Sequence, residues 1–382
     1  MKKILFDGTA TQGTSKVPFH GGADYAIYIL KEAISAGYRN FDIVFYRNYV
    51  TNPSVLKIVQ EFDIHTYLVD SRKDIYLLID NGQYSHFFSA LPVFFDYHAN
   101  AHYIKIIHGL RSIELPWDYF RYKYTVTLPK KILYYFISKM PCIIKRLKNK
   151  HIRQFEDILK IDNSSTIVVS AHTKYSIAYF FPFVALDSIE VFASPMNFQP
   201  KEKVGKPIAD RYFLLVNGNR YEKNIYRAIK TFDVLFTNNM LCDKKVVVTG
   251  AQDLPFLKEI KNRDNFIFLD YVDEDELEML YANAWAFIYP SLNEGYGYPP
   301  LKAMIYGVPV VASSSSSIPE ICGNAAIYFI PTDMNELANR ILQIDNNFLL
   351  REKLVCNGKK RIFFLQNRQL DQLPILLKRI FE

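Results

Sequence analysis

The sequence predicts an α/β protein built from two doubly wound halves, and three observations carry that prediction. The chain has 382 residues, too long for one ordinary domain and suited to two. Short, nearly continuous apolar runs recur along it, separated by helix-length segments. Runs that are apolar on both faces mark strands of a parallel sheet covered by helices. Between two series of such runs lies FQPKEKVGKPIAD, residues 198–210, rich in Pro and Lys and without apolar periodicity, which reads as a linker between the halves.

Taken in order, the strands predicted for the first half are residues 4–6, 43–45, 67–69, 76–79, 104–107, 167–169 and 189–192. Those of the second half are 213–216, 246–248, 266–269, 287–289, 310–311 and 327–329. Asp273 and Glu276 form a D-x-x-E capping pair ahead of Leu277, Leu280, Tyr281 and Ala284 at helical spacing. Asn224 is a candidate cap for a helix burying Ile225, Ala228, Ile229 and Phe232. Pro299 or Pro300 suits the first turn of a helix through Met304. The serines 313–317 follow a strand and read as a loop.

Composition narrows the class. Hydrophobic residues make up 49% of the chain and charged residues 22%, which gives ample material for a core and excludes a disordered chain. Cys142, Cys242, Cys322 and Cys356 are far apart, with no C-x-x-C pair. That argues against a zinc site or a disulfide framework, and the cysteines read as reduced core residues. The opening MKKILFDGT breaks its apolar run at Asp7 and is followed by no small-residue cleavage site. No stretch reaches the roughly 18 apolar residues of a transmembrane helix. The expected location is therefore cytoplasmic. The net charge of +7 suits a phosphate-bearing substrate, an anionic membrane surface or nucleic acid.

The most informative stretch is YPSLNEGYGYPPLKAMIYGVPVVAS, residues 289–313, which reads as strand, loop, helix, turn, strand. Gly297 precedes a helix N-terminus, where free N–H groups and the helix dipole favour anions. Glu294 in the same loop is placed to accept hydrogen bonds from sugar hydroxyls. A plain strand-to-helix connection with glycine turns is the simpler alternative for these residues alone.

The stretch resembles the donor-binding signature of family 4 of the retaining glycosyltransferases, and the resemblance extends over residues 211–363. NGNRYEKN (217–224) resembles that family's basic loop, FLDYVDEDELEMLYANAWAFIYPS (268–291) its nucleotide-facing region, and SIPEICGNAAIYFIP (317–331) the segment after its last signature strand. In the first half the likeness rests on His20-Gly21-Gly22, Ile107-His108-Gly109 and VVSAHTKYSIAYFFP (168–182).

The resemblance implies the GT-B fold, two Rossmann-like domains facing each other across a cleft. It places an acceptor-binding domain at about residues 1–200 and a nucleotide-sugar-binding domain at 205–365. A helix at 366–382 would return to the first domain. It implies that Arg220 and Lys223 neutralise the donor diphosphate, with Asn219 in the same loop, and that Glu294 contacts the donor sugar. Gly297, Tyr298, Pro299 and Leu301 would supply backbone near the phosphates, and Val272 would read the base. His108 would face the donor sugar, and Gly21 and Gly22 would form the glycine-rich first loop.

One position departs from the family. Its second glutamate, eight residues after the first, falls at Lys302, and a lysine cannot accept hydrogen bonds from ribose hydroxyls. Read in the first helical turn, Lys302 is also unfavourable toward the dipole. The expectation is that it meets the donor diphosphate or a carboxylate such as Glu320.

Two further signals weigh differently. Asp273-Glu274-Asp275 is literally D-x-D, but Asp273 is better explained as an N-cap, so no metal and no cofactor is expected. Residues 121–153 carry Arg121, Lys123, Lys130, Lys131, Lys139, Lys145, Arg146, Lys148, Lys150 and Arg153 without one Asp or Glu. This is either a solvated helix face or an anionic-membrane surface at the inner membrane face. Nucleic acid is the weakest partner, since no recognition module is present. The function implied is transfer of a sugar from a nucleotide donor to a hydroxyl of a glycan or lipid-linked acceptor in surface polysaccharide synthesis. Its rivals are a non-catalytic glycan-binding scaffold and a sugar-nucleotide epimerase.

Overall fold

The structure, a computed structural model, describes residues 3–13, 21–200, 205 and 208–382. The chain divides into two compact units. One comprises Met1–Leu110, Lys150–Met196 and Asn367–Glu382, and the other Arg111–Asn149 and Asn197–Gln366. Part of the expected linker, residues 201–204 and 206–207, lies outside the described residues.

The first unit contains β1 (Ile4–Asp7), β2 (Gln12–Gly13), β3 (Phe41–Tyr46), β4 (Val50–Thr51), β5 (Thr66–Val69), β6 (His86–Ser89), β7 (His102–Ile107), β8 (Ser164–Val168) and β9 (Ile189–Val191). Among the described residues β2 and β4 form a small antiparallel pair, and the others form one parallel sheet in the order β5-β3-β1-β6-β7-β8-β9. The buried rings of Phe87, Phe94, Tyr97 and Tyr103 pack on one another, with Tyr97 and Tyr103 centroids 4.8 Å apart. Each fully buried aromatic of this kind stabilises the fold by roughly 1.5–3 kcal/mol.

Two strand expectations needed revision here. Residues 76–79 belong to the helix Arg72–Gly82, not to a strand. Ser71 and Asp74 close a capping box at its start, and Ile75, Tyr76 and Ile79 are buried at helical spacing. Strand β6, HFFS, lies between β1 and β7 and was not foreseen.

The second unit holds β10 (Arg211–Leu215), β11 (Lys244–Val248), β12 (Phe266–Phe268), β13 (Ala286–Tyr289), β14 (Val310–Ser313) and β15 (Ala326–Phe329). Among the described residues they form a parallel sheet in the order β12-β11-β10-β13-β14-β15. The helix Ile225–Thr237 lays Ile225, Ala228, Ile229 and Phe232 on it, with the Phe232 and Phe213 rings 5.1 Å apart.

The expected boundary at residue 200 fails for residues 111–149, which cluster with the second unit. Specific contacts explain this. Arg227 Nη2 meets Asp118 Oδ1 at 2.9 Å with both side chains buried, and Lys123 Nζ meets Glu259 at 2.7 Å. Tyr124 accepts the Tyr226 N–H at 2.8 Å and packs its ring 5.1 Å from Phe256.

The C-terminal residues belong to one helix, Phe348–Phe381, that begins well before residue 366. Its last part, from Asn367, is counted with the first unit. There Gln369 accepts from Met196 N at 2.8 Å, and Phe381 packs 5.3 Å from the rings of Tyr38 and Phe41.

The cysteines are free thiols, but only Cys322 is a core residue; Cys142, Cys242 and Cys356 are exposed. Cys142 sits on the helix Pro141–Leu159, which buries only Phe155 and Ile158, so its face is open to water.

Candidate functional site

In the second sheet the chain runs outward from β10 to β11 and β12, then returns to β13 on the other side of β10. Such a reversal of strand order opens a crevice beyond the C-terminal strand ends, the usual ligand site of doubly wound sheets. Two loops meet there, residues 216–224 after β10 and residues 290–297 after β13.

The first loop is held tight by local geometry. Asn217 and Asn224 adopt left-handed conformations at φ 59° and 60°, which Asn tolerates better than most residues. A Cβ on Gly218 would lie 2.7 Å from the Ala251 Cβ, so only glycine lets this loop pack against its neighbour. Asn219 is exposed in the turn. Asn224 stands at the start of its helix but does not cap it with its side chain. Its Nδ2 instead donates to the carbonyls of Pro290 at 3.0 Å and Pro331 at 2.6 Å, tying the β10 loop to its neighbours.

Lys223 and Glu294 come together at the switch point. Lys223 Nζ lies 2.6 Å from Glu294 Oε1, and the two side chains are only 7% and 12% exposed. Ser291 Oγ donates to the same oxygen at 2.5 Å. Burial alone would raise the Glu294 pKa, but the Lys223 charge and these hydrogen bonds outweigh it and hold the carboxyl below its usual range. Tyr289 beneath them has its phenol pushed well up by burial and by the Glu294 charge.

Arg220 lies beside this pair, bonded to Glu222 Oε1 through Nε at 2.8 Å and Nη2 at 2.5 Å. Burial of Glu222 is outweighed by Arg220 and Arg111, which keep its pKa low. The backbone carbonyl of Glu222 accepts from Leu292 N at 2.8 Å and Ser291 Oγ at 3.1 Å, joining the two loops.

The serine run does more than form a loop. Ser316 Oγ accepts the Glu294 N–H at 2.7 Å, and Ser317 Oγ donates to the carbonyls of Glu294 and Tyr296 at 2.9 Å each. Ser313 Oγ donates to Ser291 O at 2.6 Å. These hydroxyls fix the backbone that aims Glu294. The only sequence signal for them was their position directly after a strand.

Gly297 takes φ 113° and precedes the helix Tyr298–Ile305, a conformation that favours glycine. Pro299 and Pro300 follow in the first turn and have no N–H to offer, and Leu301 is a core residue.

Lys302 meets a carboxylate as expected, but its place in the helix and the identity of the partner differ from the expectation. It lies in the last turn of this short helix, where a cation suits the dipole. Its partner is Glu278 of the helix Glu274–Asn283, not Glu320. Asp273 caps that helix, accepting from Glu276 N at 2.8 Å. Val272 is half-buried in the loop just before it. Among the described residues no group of three or more His, Cys, Asp or Glu is placed to hold a metal ion.

The first unit has its own strand-order reversal, between β1 and β6. Ser89 Oγ donates to the fully buried Asp7 carboxylate at 2.5 Å there, and burial raises the Asp7 pKa against that bond. His108 follows β7, its Nε2 2.8 Å from Ala90 O and its ring edge-on to Tyr25. A carbonyl only accepts, so Nε2 carries the proton. Gly21 and Gly22 are the first residues of the helix Gly21–Ser35. His20 lies outside the described residues.

Two doubly wound parallel sheets of this kind define the GT-B fold, and solved structures agree. A sucrose-phosphate synthase from Thermosynechococcus elongatus superposes with a TM-score of 0.71 at 15% identity, over 100% of this chain and 99% of that one. Anabaena HepE in complex with UDP-glucose gives 0.67 at 13% identity, over 99% and 100%. Residues 198–361 match the family glycosyl transferases group 1. The O-antigen chain mannosyltransferase RfbU of Salmonella typhimurium is 29% identical over 248 residues, 63% of this chain and 60% of RfbU. The O-antigen chain mannosyltransferase B of Escherichia coli is 44% identical over 103 residues, 27% of each chain. The matched stretches thus span less than two thirds of these relatives.

Proposed function

We propose that the protein transfers a mannosyl group from a nucleoside-diphosphate sugar to a hydroxyl of a glycan or lipid-linked acceptor, with retention of configuration and without a metal. The observation that carries this reading is the buried Lys223–Glu294 pair at the switch point, beside Arg220. As the bond from the sugar's anomeric carbon to the phosphate oxygen breaks, negative charge grows on the departing diphosphate. Fixed cations there stabilise it without reorganising. The remaining Glu294 acceptor capacity serves the sugar hydroxyls. The mannosyl specificity comes from the relatives named above.

The same reading includes a membrane-bound acceptor. The helix Leu128–Ser138 has no buried residue, and Leu128, Ile132, Leu133 and Phe136 are exposed among lysines. An apolar face ringed by cations suits an anionic lipid surface. Among the described residues no helix is long and apolar enough to cross a membrane.

The test is incubation of the protein with GDP-mannose, UDP-glucose and other nucleotide sugars plus acceptor glycans, in excess chelator, with the product's anomeric configuration read by NMR. Mannosyl transfer with retention in chelator is expected. Inverted product, or activity that returns only on adding manganese or magnesium, contradicts the mechanism.

A further inference from the structure

We propose that Arg111 is a third cationic ligand of the donor diphosphate, supplied from a segment far earlier in the chain than the loops above. The proposal rests on the donor-site reading just given and extends it to a residue that lay outside every sequence motif.

The geometry begins at Glu222. Its Oε1 receives Arg220 through Nε at 2.8 Å and Nη2 at 2.5 Å, and Arg111 Nη1 at 3.2 Å. Two guanidinium groups therefore crowd one carboxylate oxygen. Glu222 is 9% exposed at its side chain, whereas Arg111 and Arg220 keep 42% and 44%. One carboxylate oxygen cannot saturate two guanidinium groups, so both keep donors that Glu222 does not use, and Glu222 is the chain neighbour of Lys223, whose own carboxylate partner is Glu294. Arginine presents five N–H donors in a planar fork that matches phosphate oxygens two at a time, so a guanidinium already holding one carboxylate oxygen still has donors to give.

The helix at the site makes a further cation useful. A helix N-terminus ordinarily offers about four unpaired N–H groups to an anion. Here Pro299 and Pro300 occupy the first turn of Tyr298–Ile305, and proline has no N–H. The backbone contribution is reduced to Gly297 and Tyr298, and side-chain cations must carry more of the phosphate charge.

Arg111 is also held in place. It opens the short helix Arg111–Glu114. Glu114 accepts from Asn293 Nδ2 at 2.5 Å, next to Glu294 in sequence. A few residues on, Arg121 stacks 4.3 Å from the Trp117 ring and 4.5 Å from that of Tyr221. The segment is therefore fastened to both loops of the donor site, and Arg111 is positioned by that attachment.

The experiment is calorimetric titration of inorganic pyrophosphate, GDP and UDP into the full chain, for wild type, Arg111→Gln, Arg111→Lys and Lys223→Met, at two salt concentrations. Thermal melts without ligand check folding. Loss of a charge-assisted phosphate contact predicts that Arg111→Gln weakens pyrophosphate and the wild type's preferred nucleotide by about tenfold or more. Binding should also become less sensitive to salt. Arg111→Lys keeps the charge, loses the fork, and should fall between. If Arg111→Gln and Arg111→Lys both bind as wild type does while Lys223→Met is crippled, the donor site stands and the role of Arg111 is overturned. If wild type binds none of the three probes, the donor-site reading falls, and this proposal with it. If Arg111→Gln does not fold, wild-type affinity in Arg111→Lys still overturns the fork, and weakened affinity supports it.

Discussion

Replacing Lys302 by Glu restores the residue the family carries at that position, and the structure predicts that the change is harmful. Lys302 is paired with Glu278, whose side chain is 8% exposed while that of Lys302 is 27% exposed. Removing the partner of a fully buried charge costs about 3–5 kcal/mol. The partial exposure of Lys302 lowers this toward the range of a screened pair, and Lys302→Met should cost about 1–2 kcal/mol. Lys302→Glu adds repulsion between neighbouring carboxylates, for a total of about 2–3 kcal/mol. For a unit of this size each kcal/mol lowers Tm by about 2–4 °C, so the variant should melt roughly 5–10 °C lower. The assay is a thermal melt of wild type, Lys302→Glu, Lys302→Met and the charge-swapped double variant Glu278→Lys/Lys302→Glu. The swap should recover much of the loss, which isolates the pair. A Lys302→Glu protein that melts like wild type and binds nucleoside diphosphate more tightly would refute the reasoning and identify Lys302 as a degraded ribose contact.

Three other outcomes follow from particular side chains. Lys105 is fully buried with Nζ 2.5 Å from Ser164 Oγ, and desolvation lowers its pKa to about 8. Between that pH and about 10.4 the unfolded chain binds more protons than the folded one, so stability rises with pH across the window. Lys105→Met should melt higher than wild type at neutral pH and lose that slope; equal melts with the slope retained count against it. For the exposed helix, Leu128→Ser/Ile132→Ser should weaken binding to anionic vesicles more than to neutral ones, and wild-type binding should fall with salt. Wild-type binding that is equal on neutral vesicles would leave a solvated face. Ser317→Ala removes one donor from two carbonyls around Glu294, and should cost about 1–3 kcal/mol in stability with a loss in donor affinity; donor binding unchanged would mean that the serine supports only the fold.

Much of the architecture was legible because buried parallel strands leave apolar runs that need no tertiary knowledge. The errors fell where local sequence is ambiguous. The apolar tetrad Tyr76–Leu77–Leu78–Ile79 resembles a strand, and only the Ser71–Asp74 capping box and the 59% exposure of Leu77 separate it from one. Strand β6 offers just two apolar residues between His86 and Ser89, too few for periodicity to show. Residues 111–149 joined the second unit through Asp118 and Lys123, whose partners Arg227 and Glu259 lie far along the chain. No local pattern announces such pairs.

The site was legible to the same degree. Lys223 and Glu294 were marked out by the family resemblance as candidates, and the structure brings these two side chains into contact. Glu222 and the serines 316 and 317 did not, because their roles depend on which loop the neighbouring strand places beside them. Lys302 was misplaced within its helix because that helix begins at Tyr298 and lasts only to Ile305. Its partner Glu278 comes from another helix altogether.

The central claim is that the β10 and β13 loops bind a nucleoside diphosphate through Lys223 and Glu294. The most direct test is calorimetric titration of GDP and UDP, and of the matching nucleotide sugars, into wild type, Lys223→Met and Glu294→Gln. The account predicts that wild type binds one nucleoside diphosphate, and that Lys223→Met weakens it by about tenfold or more through loss of a charge-assisted contact. Glu294→Gln should weaken the nucleotide sugar more than the bare diphosphate. Wild-type affinity in both variants, with the fold intact, would contradict it.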